Sequence, residues 1–443
     1  MQYAINDIIL IVISIFLLYY LQKENYKNAV IISVFAYCCA PVIKIQDTGI
    51  NPAYLFTGIL GIWLLKSVWQ KKTNWSIPVF IFIIGMGASI LVIGISWLLN
   101  AQYQMAHIIH FIGMIQWALG VVALYTLYTT DAMFGQSLYL GIKGVIVCNF
   151  VLTIFQIFIP KIGIALTKLL YTYPGKDAAI NATEKIGRFL RGFGTFYSST
   201  ETGGFCLFAI TMMLLIICRQ NKWKKELPFL FMILFVGLFS FSKAVIIGVF
   251  IIFFVLVGLI FLLKISVDYK KILSALFIIL LTFFVVITLG KTANLSGQVD
   301  YYFGKLLNPF SAFETRYGDL DKWDKGISNT ENTGNTEGKT EGNLEKTMEV
   351  IKKNIVIGVG PASIEGEFVG DSQYVVSLHD GGIINFLIYL LLYSFLFIKG
   401  WKEKRLETCT LVVIVAMECL FIPIFSCAYA IPFIAWCLVI EKR

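Results

Sequence analysis

The sequence predicts an all-α, polytopic helical membrane protein, and three observations carry that prediction. The composition is 58% hydrophobic against 14% charged, with a mean hydropathy of +0.78, far above water-soluble chains. Apolar runs of about 18 residues or more, each able to cross roughly 30 Å of hydrocarbon as a helix, recur along the chain. Short lysine-rich loops separate several of them. Lipid offers no partner to a bare backbone N–H or C=O, so crossing segments are helices that bond internally.

The spans fall near 5–21, 29–45, 53–69, 77–99, 107–129, 138–160, 202–218, 227–241, 243–263, 273–290, 382–399, 407–423 and 426–440, about 12–14 transmembrane helices in all. The first run, IILIVISIFLLYYL, lacks a basic leader and a small-residue cleavage site and reads as an anchor. Four loops are basic: KSVWQKKTNW (66–75), RQNKWKKE (219–226), KISVDYKK (264–271) and KGWKEKR (399–405). An even number of spans separates each from the next, so all four fit the cytoplasmic side.

Two longer loops, 161–201 and 291–381, then lie outside. The second holds 14 acids against nine Lys/Arg, a net −5, which leaves +14 on the rest of a chain whose formal charge is +9. The basic surplus follows the membrane rule and is not a nucleic-acid signature. On this reading the chain divides into an N-terminal bundle (1–290), a large external loop (291–381) and C-terminal helices (382–443).

The nine cysteines lie in or beside apolar runs without metal-ligand spacing and read as small apolar packers. The excess of lysine over arginine, with frequent Ile, Phe and Asn, suggests an AT-rich bacterial genome.

Within the large loop, NTENTGNTEGKTEGN (329–343) has no apolar residue to bury and is expected to be a mobile insert whose shortening is tolerated. Beyond it, Leu344, Met348, Ile351 and Ile355 fall at helical spacing, with Asn343 placed to cap. Gly358, Gly360 and Pro361 end that helix, which is expected to lie along the membrane surface.

Four stretches could carry chemistry. Arg188 and Arg191, in GRFLRGFGTF, are three apart and would share one side of a turn. Arginine suits bidentate phosphate binding, or snorkels onto lipid headgroups. Lys243 interrupts a long apolar stretch after Ser240–Ser242, marking either a functional cation at the external face or merely a short loop. Arg316 is the single arginine of the large loop. It precedes Asp319, Asp321 and Asp324, which could hold a divalent metal or start a solvated helix. His379 can exchange a proton near neutral pH. Asp380 beside it could orient the imidazole or cap the next span, and Gly381–Gly382 allow close approach. His107 and His110, at i, i+3, could pair on a metal, but no nearby carboxylate or cysteine in the sequence completes such a site.

The order of these features resembles the O-antigen polymerase and ligase superfamily (Wzy/WaaL type). The resemblance rests on RGFG (191–194) before a middle span and on Ser242–Lys243 at a turn between spans. It continues with Arg316 and Trp323 in a large outer loop, the IGVGP turn (357–361) and His379–Asp380 before the last spans. It covers roughly residues 190–400, and HDGG stands where a ligase-like H-N-x-x-L would be.

The resemblance implies a GT-C-like glycosyltransferase of capsule or exopolysaccharide biosynthesis. It would lie in the bacterial cytoplasmic membrane and need no cofactor and no metal. The implied activity is that of a polymerase, moving an undecaprenyl-pyrophosphate-linked glycan onto a lipid-linked repeat unit at the outer face. Arg188, Arg191 and Lys243 would hold the pyrophosphate, Arg316 would add a second cationic contact, and His379 would be the base. Asp380, Ser242 and Trp323 would support them. Implied partners are the lipid-linked oligosaccharide, membrane lipid and a chain-length regulator protein. The alternatives are a ligase using another acceptor, a flippase, or a metal-dependent transferase built on Asp319 and Asp321. A flippase would show inverted repeats and mid-membrane charge.

Overall fold

The computed structural model describes residues 4–45, 48–70, 73, 75–100, 105–172, 186, 191–196, 198–292, 350–361, 372–420 and 422–439. Two helices open the chain, α1 (Ala4–Gln22) and α2 (Tyr26–Cys39), and Asn25 caps α2 by accepting from the Asn28 N–H at 3.2 Å. α2 stops short of the predicted span 29–45. Pro41 disfavours helical backbone at the preceding residue, and Ala40 takes an extended ψ of 140°. The chain then makes an antiparallel hairpin, β1 (Ile43–Ile45) and β2 (Thr48–Ile50), with Ile43 opposite Ile50.

Five helices come next: α3 (Ala53–Trp69), α4 (Ile77–Asn100), α5 (Met105–Thr130), α6 (Phe134–Phe158) and α7 (Pro160–Leu170). Then come α8 (Ser199–Arg219), α9 (Leu227–Phe239), α10 (Lys243–Leu262) and α11 (Tyr269–Thr292). The last three are α12 (Gln373–Lys402), α13 (Leu406–Glu418) and α14 (Ala430–Leu438). Eight of them, α1, α4, α5, α6, α8, α10, α11 and α12, are long and apolar enough to cross a membrane. The shorter α2, α3, α9, α13 and α14 overlap the other predicted spans without the length of the eight. The chain is an all-α, multi-pass membrane protein.

Burial separates the centre from the periphery. The apolar window of α8 is 89% buried, against 28% for α1 and for α11. A helix hydrophobic on every side and buried on every side is a core element, whereas an apolar face left open belongs to lipid. Around α8, Phe208 stacks on Phe433 with ring centroids 5.0 Å apart, and Trp117 of α5 donates its indole N–H to the Cys427 carbonyl at 3.1 Å. All nine cysteines are free thiols, eight of them buried.

Three basic loops meet at one end of this bundle. Arg219 pairs with Glu407, Lys271 reaches the Cys218 carbonyl at 3.1 Å, and Arg405 reaches the Val439 carbonyl at 2.8 Å. The buried Glu226 pairs there with Lys143 at 2.8 Å.

Candidate functional site

The stretch SLHDGG is part of a helix, not a lead-in to one. The apolar run alone places the start of a span at 382, but α12 begins at Gln373, with Ser372 at its N-cap position, and breaks at Gly382 (φ 65°, ψ −163°). Asp380 therefore does not cap the span; it is buried just before the break.

A broken helix frees carbonyls on one side of the gap and N–H groups on the other, and in a membrane bundle each needs a partner. Residues 355–360, which run into the IGVGP turn, supply them. Val359 and Gly360 donate to the His379 and Asp380 carbonyls at 2.8 and 3.0 Å. Ile383 and Ile384 donate to the Ile355 and Val356 carbonyls at 2.7 and 3.4 Å. Only glycine allows so close a contact. Gly358 has φ 78°, and a Cβ on it would lie 2.5 Å from the His379 carbonyl oxygen and 2.6 Å from the Gly382 nitrogen. Residues 350–353 are helical and residues 355–360 dock into α12 through backbone hydrogen bonds, whereas Asn343, Leu344 and Met348 of the predicted helix lie outside the described residues.

Side chains complete the joint. Asn385 donates to the Ser377 carbonyl across the break at 3.2 Å and accepts from Ser89 of α4 at 2.6 Å. Asn100, at the end of α4, donates to the Gly358 carbonyl at 3.3 Å.

This joint fixes Asp380 between two imidazoles. His379 Nδ1 lies 3.0 Å from Asp380 Oδ1, and His110 Nε2, from α5, lies 3.3 Å from Asp380 Oδ2. His110 therefore has the carboxylate partner that its sequence neighbourhood lacks. It comes from a position 270 residues away in the chain, which no local spacing reveals. An ionised carboxylate only accepts, so each neutral imidazole donates one N–H to it and keeps its other nitrogen as a bare acceptor. The result is a buried imidazole–carboxylate–imidazole array able to take up a proton.

A second irregular stretch, 191–196, is buried against α6. Gln156 Oε1 accepts from the Phe193 and Gly194 N–H groups at 2.7 and 3.0 Å, and Asn149 Oδ1 accepts from Thr195 at 2.9 Å. Asn149, Thr153 and Gln156 recur at i, i+4, i+7 and form a polar stripe down one face of α6. Helical spacing alone could have revealed that stripe, although none of the predicted site residues lies on it. Gly192 donates to the Phe239 carbonyl at 2.9 Å, which ties the RGFG stretch to the turn before Ser242–Lys243. Arg191 is half-buried at the start of this loop. Ser242 holds the N-cap position of α10 and Lys243 is its first residue. The turn at 240–242 is thus where the sequence places it.

Two pairs of predicted features come together: RGFG with the Ser242 turn, and IGVGP with HDGG. The end of α13 sits between the start of α12 and α8. Ser372 and Gln373 both donate to the Cys419 carbonyl, at 2.9 Å each, and the Glu418 carboxylate packs at Gly204 of α8. A small cleft of about 50 Å³ borders the 191–196 loop, lined by Tyr37, Asn51, Tyr171, Thr195, Glu201 and Tyr429. Asn51 leads into α3, whose Tyr54 hydroxyl comes within 3.5 Å of the Ile109 carbonyl, next to His110.

Arg188, Arg316, Trp323, the carboxylates Asp319, Asp321 and Asp324, and the insert 329–343 lie outside the described residues. Compared with protein-family models, curated proteins and solved structures, the chain matches none.

Proposed function

We propose that this chain is a polymerase of lipid-linked glycans, transferring a chain from undecaprenyl pyrophosphate to the sugar hydroxyl of a second lipid-linked unit. The observation that carries this reading is the buried His379–Asp380–His110 array, clamped by glycines at a break in a membrane helix. Such a break in lipid costs buried hydrogen bonds unless another segment restores them, so ionisable groups collected there point to chemistry or transport. The RGFG loop and the Ser242–Lys243 turn, joined to each other, support the anionic side of the reaction.

In the proposed step the acceptor oxygen attacks the anomeric carbon. The carbon–oxygen bond to pyrophosphate breaks, and its electron pair leaves with the pyrophosphate. The hydroxyl proton passes to an imidazole of the array. Arg191, Arg188, Lys243 and Arg316 offset the charge that develops on the leaving group. Fixing both partners beside the array supplies alignment. The site would face the outer leaflet of a bacterial cytoplasmic membrane, with the basic loops inside.

The test is reconstitution of the full chain in proteoliposomes with an undecaprenyl-pyrophosphate oligosaccharide. A ladder of longer glycans is expected, and Arg191→Ala is expected to abolish it in protein that still inserts. Substrate recovered unchanged from the wild-type protein, or a normal ladder from the Arg191→Ala protein, would contradict the reading.

A further inference from the structure

We propose that His110, and not His379, is the member of the array that meets the acceptor hydroxyl, with Asp380 orienting it and His379 acting as a buried buttress. The inference rests on the polymerase reading for the identity of the ligand. Its basis is the unequal burial of the two imidazoles on one carboxylate. The His379 side chain is 5% exposed and that of Asp380 1%, whereas His110 is 19% exposed. The His110 end is thus the more exposed of the two.

The geometry of α5 agrees with this. His110 spends Nε2 on Asp380, which leaves Nδ1 to act. The turn carrying His110 is fixed on both flanks, because Phe111 packs on Trp97 with centroids 5.7 Å apart and Tyr54 approaches the Ile109 carbonyl. Trp97 in turn lies against Gly360, so the IGVGP segment that sets Asp380 also sets the neighbour of His110. A base must be held in one tautomer and one orientation, and a buried carboxylate on the far nitrogen supplies both. His379 adjoins the helix break, where its own carbonyl is tied to Val359, so its place is structural as much as chemical.

Two variants separate the roles. His110→Gln keeps an N–H donor near the Nε2 position, and His379→Asn keeps one near Nδ1, so each removes only the bare nitrogen. With lipid-linked oligosaccharide in proteoliposomes, His110→Gln is expected to lower the polymerisation rate by about 10²–10⁴-fold. His379→Asn is expected to lower it by about tenfold or less, the smaller loss of a group that positions rather than reacts. A His110→Gln protein within about tenfold of wild type overturns the assignment.

A second measurement does not need turnover. Diethyl pyrocarbonate is expected to modify His110 before His379, and the lipid-linked oligosaccharide is expected to slow that modification. His379 reacting first, or no protection of His110, overturns the assignment. If the wild-type chain makes no polymer while His110 is labelled and protected, the polymerase reading falls and the ligand-facing role of His110 stands.

Discussion

Two of the buried non-helical stretches among the described residues, 191–196 and the break in α12, are sealed in different ways. At 191–196 the Phe193, Gly194 and Thr195 N–H groups are taken by side chains, Asn149 and Gln156 of α6, while Gly192 bonds the Phe239 carbonyl. At the break in α12 backbone meets backbone, with residues 355–360 laid across the gap. The first seal takes its acceptors from two buried amide side chains and also needs Gly194, at φ 54°, where a Cβ would strike Asn149 Oδ1. The second takes its acceptors from backbone and needs positive φ at Gly358, Gly360 and Gly382. The backbone-sealed joint holds the proton-handling residues, and the side-chain-sealed one holds the start of the arginine loop.

The two seals differ enough to rank their variants. Gly382→Ala is expected to have the largest effect, about 2–5 kcal/mol, because a Cβ would strike the Val356 carbonyl at a φ that side chains avoid. Thermal unfolding in detergent would read it, and a wild-type midpoint would mean the joint is looser than described. Gln156→Leu is expected to cost less, about 2–4 kcal/mol, by leaving the Phe193 and Gly194 N–H groups without an acceptor. It should also speed tryptic cleavage at Arg191 while cleavage elsewhere is unchanged. Equal losses from the two variants would erase the distinction between the seals. Arg219→Ala, at the opposite end, is expected to change stability by less than about 1 kcal/mol, because its pair with Glu407 is partly exposed. A loss as large as that of Gln156→Leu would show the basic end to be more than a solvated surface.

Much of the fold is readable from the sequence, because long apolar runs report helices directly. Among the predicted spans, 29–45 ends early for the local reason of Pro41, 407–423 ends at Glu418 and 426–440 starts at Ala430. The start of α12 is hidden because QYVVSLHDGG mixes polar residues with a glycine pair, the usual marks of a loop. In the bundle those polar groups are satisfied by a distant segment. IGVGP and HDGG stand out separately as motifs, yet nothing local says that they dock. His110 has no carboxylate neighbour in sequence, and Asp380 arrives from another helix altogether. Sequence spacing reports neighbours on one element, and this site is assembled between elements.

If Asp380 couples His110 to its buttress His379 and so orients His110 for proton transfer, then Asp380→Asn is the variant that tests it most directly. The amide keeps the shape and the packing but cannot accept from both histidines through two equivalent oxygens. Polymerisation of lipid-linked oligosaccharide is expected to fall by about 10²–10⁴-fold while the folded fraction of the protein is retained. A glycan ladder formed at the wild-type rate by the well-folded variant would contradict the coupling.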